Sequence, residues 1–171
     1  MDVNIDAELN AHLVAVQALE QQSLRLLSSA TALADDERIA QVYRVHTLQT
    51  EAHARSLTER ISARGASGPL SDGTSASGLE TLEIRFAPGA NGAALAVAAY
   101  VFENLEIAAY HLLFGIAERA GDRETAVLAE KTLDEEEAAA EVLASAFDRA
   151  LAVSLGERPT SPMASLASFG D

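Results

Sequence analysis

Four residues of metal-binding type fall where an amphipathic helix normally places apolar side chains: Glu20, His53, Glu106 and Glu136. Glu20 lies inside the stripe Leu13, Val16, Leu24, Leu27, and Glu106 inside the stripe Leu95, Ala99, Phe102, Leu113. Glu136 is in phase with Ala129, Leu143 and Phe147, while His53 sits within about 20° of Val42 and His46 on a helical wheel. Carboxylates ordinarily occupy the polar face. Burying three of them without a cation is costly or forces protonation, and a divalent metal removes that conflict. Oxygen ligands with one imidazole suit iron(II), manganese or zinc, with iron or manganese the first choice.

Three more residues are secondary candidates. Glu103, one turn from Glu106, suits either a bridging ligand or a polar edge, Glu51 could complete an asymmetric site, and His46 suits a hydrogen bond to a ligand glutamate. In the run Asp134-Glu135-Glu136-Glu137 only Glu136 has the inward phase, so the rest reads as a solvated face. Tyr110 follows Glu106 by four residues and reads as a core aromatic whose hydroxyl could reach a ligand. His12 and His111 read as surface or interface residues.

The elements that must position these residues are helices. Few prolines, few aromatics and abundant alanine favour helix over sheet. Steps of three and four predict helix A from about Asp6 to Ala32 and helix B from about Asp36 to Arg64. Helix C is expected from about Ala93 to Ala120, and helix D, after a Gly121-Asp122 turn, to about Leu155. Residues 65–89 are rich in glycine, serine and proline, with one apolar segment, Leu79 to Phe86. A helix of roughly 28 residues is about 42 Å long. At about 3.3 Å per residue, residues 65–88 can extend to roughly 79 Å, so helices B and C can be parallel. The expected fold is an all-α, four-helix bundle of two antiparallel hairpins joined by a long crossover. It occupies residues 1–155, followed by a tail, 156–171, in which Met163 to Phe169 could dock on a partner.

Composition narrows the partners. A net charge of −14 argues against phosphate backbones and anionic lipid surfaces. With no cysteine there are no disulfides or thiolate ligands. The amino terminus lacks a secretory pattern, and the longest apolar run, Ala93 to Phe102, is short for a membrane span. These features predict a cytoplasmic protein without membrane or nucleic-acid partners.

A shift of 86 positions lays Leu19-Glu20 on Leu105-Glu106, Val42 on Leu128, Leu57 on Leu143 and Ile61 on Phe147. The same shift puts Thr50 on Glu136 and His53 on Ala139. The chain resembles the ferritin-like family that includes the bacterial YciE/YciF stress-associated proteins. The resemblance runs over Phe102 to Tyr110, Ala117 to Gly121 and Thr132 to Ala138, and more weakly over Leu19 to Gln22 and His46 to His53. It implies a ferritin-like bundle, often dimeric, with a metal site near Glu20, Glu106 and Glu136 and an association with stress response. The broader di-iron pattern carries Glu-x-x-His on two helices, whereas this chain reads Thr50-x-x-His53 and Glu136-x-x-Ala139. A single metal or an asymmetric pair is therefore expected in place of a full ferroxidase centre. Two functions compete: a metal-binding bundle with ferroxidase-like or peroxide-linked redox activity, and a structural or interaction bundle whose site is metal-free. The alanine-rich start of helix C offers small residues for packing against another subunit.

Overall fold

Asparagine and aspartate set the start of every long helix. In the computed structural model, which describes residues 4–66 and 91–160, the side chains of Asn4, Asp36, Asn91 and Asp122 each accept a first-turn backbone N–H. They open α1 (Ile5–Leu33), α2 (Glu37–Ala63), α3 (Gly92–Ala120) and α4 (Arg123–Ser145). Gly121, with φ of 70°, ends α3 in the left-handed region, where a side chain would be strained, and lets Asp122 begin α4 at once. The segment Leu79–Phe86 and the tail from Met163 to Phe169 lie outside the described residues.

Helix D was expected to continue to about Leu155. It breaks at Ala146, and α5 (Phe147–Ser154) follows. At the break the Ser145 hydroxyl donates to the Val142 carbonyl, and Ala146 N–H bonds the Leu143 carbonyl three residues back. Both contacts tighten the last turn and redirect the chain.

Cross-helix contacts fix the directions. Near the end of α2, Arg64 reaches Asn10 and Asp6 at the start of α1, so this pair is antiparallel. Arg60 reaches Asp122 at the start of α4, and Asp36 at the start of α2 meets Arg149 in α5, so α2 and α4 are antiparallel as well. With α3 and α4 joined by a tight turn, α2 and α3 run parallel, the arrangement that the long connection permits. The architecture is the expected two-hairpin, ferritin-like bundle.

Two apolar clusters fill its ends. One gathers Leu9, Leu13, Leu57, Ile61, Leu113 and Ala126; the other gathers Leu27, Ile39, Tyr43, Ala99, Val142 and Ala150. The polar stripe residues lie where these clusters meet. Helix α3 is, by length and composition, apolar enough to cross a membrane, a feature the shorter run read from sequence does not convey. Here it packs on α1, α4 and α5, with Glu103 and Glu106 buried.

The 86-position repeat is visible as a pair of clasps. Asp36 and Asp122 occupy equivalent N-caps, and each is gripped by arginine from the antiparallel partner. Arg149 forks onto both Asp36 oxygens at 2.7 Å, and Arg60 contacts both Asp122 oxygens at 2.6 Å, joined there by Arg64. Despite partial burial, Arg60 and the Thr125 hydrogen bonds hold the Asp122 carboxyl well below its ordinary value. A depressed folded value means that this stabilisation is present above the unfolded pKa of about 3.8 and is lost as pH falls below it. Asp122→Ala is expected to cost about 2–3 kcal/mol at neutral pH, as cap and charge-assisted bonds disappear together. Denaturant melts should show that deficit shrinking below about pH 4; a deficit that stays constant as pH falls would contradict the account.

Candidate metal centre

The helical phases converge as the sequence indicates, and they bring in more residues than the four primary candidates. Glu20 from α1, His53 from α2, Glu106 from α3 and Glu136 from α4 are all buried. Two secondary candidates join them, His46 from α2 and Glu103 from α3, with exposures of 1% and 0%. Ligand-type atoms form two overlapping groups, each with its atoms within 4.8 Å of one another: His46, Glu103, Glu106 and Glu136; and Glu20, His53 and Glu136. Glu136 belongs to both.

The third secondary candidate does not take part. Glu51 is exposed, beside Gln21 and Arg55 in a shallow depression between α1 and α2. It lies two residues before His53, about 200° around the helix, which turns it away from the interior. His111 is exposed near Glu137, as expected, but His12 is 8% exposed and packed within the fold, 3.5 Å from Glu8.

Local structure explains how the incomplete Glu-x-x-His pattern is filled. Thr50 occupies the glutamate position in α2 and turns its hydroxyl onto the His46 carbonyl. His46, one turn earlier, points into the centre with Nε2 2.8 Å from Glu103 and 3.7 Å from Glu136. Ala139 leaves α4 without a histidine, and Glu103, three residues before Glu106, supplies a donor from α3 instead. Both substitutes are a single helical turn from a position of the pattern.

Hydrogen bonds behind the candidate ligand atoms orient them. His46 Nδ1 faces Gln49 Oε1 at 3.3 Å, and His53 Nε2 faces Glu135 Oε2 at 2.7 Å. Once the rings are neutral and those nitrogens donate, the opposite nitrogens would present lone pairs to the interior, the tautomers that metal ligation needs. The Ser23 hydroxyl donates to Glu106 Oε2 at 3.2 Å, and the Tyr110 hydroxyl donates to Glu20 Oε1. Glu135 corrects the sequence reading: counted with the solvated face, it is 20% exposed and bonded to His53. No periodicity marks it, because its role comes from the neighbouring helix.

The inward atoms are left without hydrogen-bond partners. Glu20 Oε2, His46 Nε2, His53 Nδ1, Glu106 Oε1 and both oxygens of Glu103 and Glu136 are buried and unsatisfied. Several lie close together, such as His53 Nδ1 and Glu136 Oε1 at 2.9 Å, but outside hydrogen-bonding geometry. Orphaned buried acceptors on this scale are rare in native proteins. Oxygen and imidazole donors converging without partners fit a divalent cation, and the charges fit two, since four carboxylates balance two divalent ions.

The proton affinities report the same crowding. Burial, with Glu136 nearby, raises Glu20 to about 8, and burial raises Glu103 to about 7 despite His46. Glu106 is pushed well above its ordinary range by burial and by Glu136, Glu20 and Glu103. Burial also works to raise Glu136, but His53 and His46 outweigh it and hold this carboxyl low. Burial disfavours charge on both histidines, yet Glu103 lifts His46 to about 10 and Glu136 lifts His53 to about 9. The phenol of Tyr110 is raised by burial and by Glu20, so it remains a donor.

A bundle with this topology, and with carboxylates and histidines converging from all four long helices, is a ferritin-like bundle. The chain belongs to the family described as "Domain of unknown function (DUF892)", whose pattern matches residues 6–154. Solved structures of the same fold include the stress protein YciF of E. coli, 24% identical, covering 92% of this chain and 100% of that one, with a TM-score of 0.67. Ferritin-like, diiron-carboxylate proteins of Bacillus anthracis align at 17% identity over 85% of this chain and 99% of the other, with a TM-score of 0.71. A dodecameric thioferritin of Bacteroides fragilis aligns at 16% identity over 81% and 83% of the two chains, also with a TM-score of 0.71. No curated protein matches significantly.

The raised groups give metal-free protein a definite pH dependence. Where the folded pKa exceeds the unfolded value, the native state binds more protons and stability falls as pH rises. Glu20, Glu103 and Glu106 act in this sense above their ordinary value of 4.5. The histidine contribution is complete below 6.5 and is lost as pH climbs through about 9 and about 10. Chelator-treated protein should therefore melt at steadily lower temperature from about pH 6 to about pH 9, and Glu106→Gln should flatten the slope. A melting temperature that rises over this range would contradict the assignment.

Proposed function

We propose that this protein binds two divalent ions, iron or manganese, in a centre bridged by Glu136. The observation that carries the reading is the convergence of buried, unpartnered ligand atoms in two groups that share Glu136. His46, Glu103 and Glu106 would hold one ion, and Glu20 and His53 the other. Tyr110, Ser23, Gln49 and Glu135 orient these ligands through the hydrogen bonds described above. The diiron-carboxylate character of the Bacillus anthracis proteins supports the choice of metal.

When bound, iron or manganese would supply electron transfer to dioxygen or peroxide. This chain's own residues would exclude water and hold the ligand geometry, with the Tyr110 phenol keeping its proton on the Glu20 side. A stress-linked role in the cytoplasm accords with the family resemblance and with the E. coli stress protein. Self-association as a homodimer or larger assembly is part of the reading, since the Bacteroides fragilis thioferritin is dodecameric. The uncharged, exposed residues Val97, Val101 and Leu112 on α3 suit such a contact.

The alternative of a metal-free interaction bundle rests on the incomplete Glu-x-x-His pattern. His46 and Glu103 weaken it, because they stand in the cluster where the missing donors would be.

Titration of metal-free protein with manganese(II) or, without oxygen, iron(II) is expected to saturate at two ions per chain. Glu136→Ala should weaken both ions, and Glu20→Ala one of them, by about 10-fold or more. Binding should release protons and tighten with pH, because the histidines and raised carboxylates must deprotonate to ligate. Absence of any saturable binding, with Glu20→Gln and Glu106→Gln together raising the melting temperature, would favour the metal-free alternative.

A further inference from the structure

Among the described residues a groove approaches the buried centre. It has a volume of about 800 Å³ and runs between α2 and α4, walled by Leu48, Ser56, Val127 and Lys131, with His53 and Glu135 at its floor. Small side chains such as Ala96, Ala99 and Ala109 bring α3 against its neighbours, and the depression beside Glu51 touches no member of the cluster.

Exposure falls stepwise from groove to centre. The Lys131 side chain is 75% exposed, Glu135 20% and His53 5%, while Glu20 and Glu136 are 0%. The His53 ring forms the wall itself. Its Nε2 meets Glu135 on the groove side at 2.7 Å, and its Nδ1 lies 2.9 Å from Glu136 and 3.7 Å from Glu20 on the inner side. Outside the cluster, Glu135 is the carboxylate that touches a ligand residue from the groove. Its second oxygen lies 3.3 Å from Lys131, whose flexible ammonium occupies the place a cation would take.

We propose that the groove between α2 and α4 is the route by which a divalent cation enters, and that Glu135 at its floor receives the ion before it passes His53. This inference rests on the metal-binding reading and adds an entry site to it. An anionic carboxylate at the mouth of a low-dielectric passage concentrates cations there and raises the association rate. Lys131 opposes that effect, since an arriving cation must displace its ammonium from Glu135.

The two residues therefore act in opposite directions on the rate of loading. Glu135→Gln keeps an acceptor for His53 Nε2–H and removes the charge. Stopped-flow mixing of metal-free protein with cobalt(II), followed by visible absorption, should show uptake slowed about tenfold in Glu135→Gln and accelerated in Lys131→Ala. Glu135→Gln also weakens the support given to His53, so its Kd is expected to rise, and the route is read from its association rate. Ser56→Trp, which narrows the groove from a residue outside the cluster, should slow uptake and release alike and leave Kd within about twofold, because an obstacle on the path changes both rates together. Uptake at the wild-type rate in both Glu135→Gln and Ser56→Trp would overturn the route, as would a weakened Kd at an unchanged association rate. Cobalt that fails to bind wild-type protein at equilibrium would instead contradict the metal-binding reading itself.

Discussion

Six ionisable side chains packed into the middle of a helical bundle form the constraint around which this fold is arranged. Four carboxylates and two imidazoles lie at 0–4% exposure in a layer between two apolar clusters. Water solvates none of them well, and their inward atoms lack hydrogen-bond partners. Such a layer weakens an empty bundle, since each buried charge must be neutralised by a proton, a partner or a cation. The apolar ends, the capped helices and the arginine clasps at Asp36 and Asp122 hold the helices in register against that cost.

The clasps and the centre share one symmetry. Asp36 and Asp122 are 86 positions apart, as are Glu20 and Glu106, so the same repeat that aligns the hairpins aligns their contributions to the interior. Symmetry then breaks at the ligands. Both histidines come from α2, while α3 and α4 supply carboxylates only. The two groups joined at Glu136 are thus chemically unlike: one has three carboxylates and one imidazole, the other two carboxylates and one imidazole. Two ions held there would differ in charge environment and in access, because only the second group adjoins the groove beside His53.

Much of this was legible from residue spacing. The apolar stripes located four helices, and the polar interruptions within them located Glu20, His53, Glu106 and Glu136, because a helix repeats its face every three or four residues. His46 and Glu103 also carry the inward phase, but spacing alone does not distinguish a ligand from an edge residue, and their places depend on how α2 and α3 face each other. Glu51 is a candidate by residue type alone; it lies about 200° from His53 around α2 and is exposed. Glu135 was not legible at all, since its partner lies on another helix and depends on the distance between α2 and α4. The break at Ala146 was hidden for a similar reason: Ser145 reads as ordinary helix until its hydroxyl is seen on a backbone carbonyl.

Shared ligation of two cations by Glu136 is the part of the proposed function on which the rest depends. Crystals of the metal-loaded protein, with anomalous diffraction measured on both sides of the iron or manganese edge, test it most directly. Two anomalous peaks are expected, one among His46, Glu103 and Glu106 and one between Glu20 and His53, with Glu136 close to both. Peaks confined to surface carboxylates, or loaded crystals in which Glu136 contacts no metal, would contradict it.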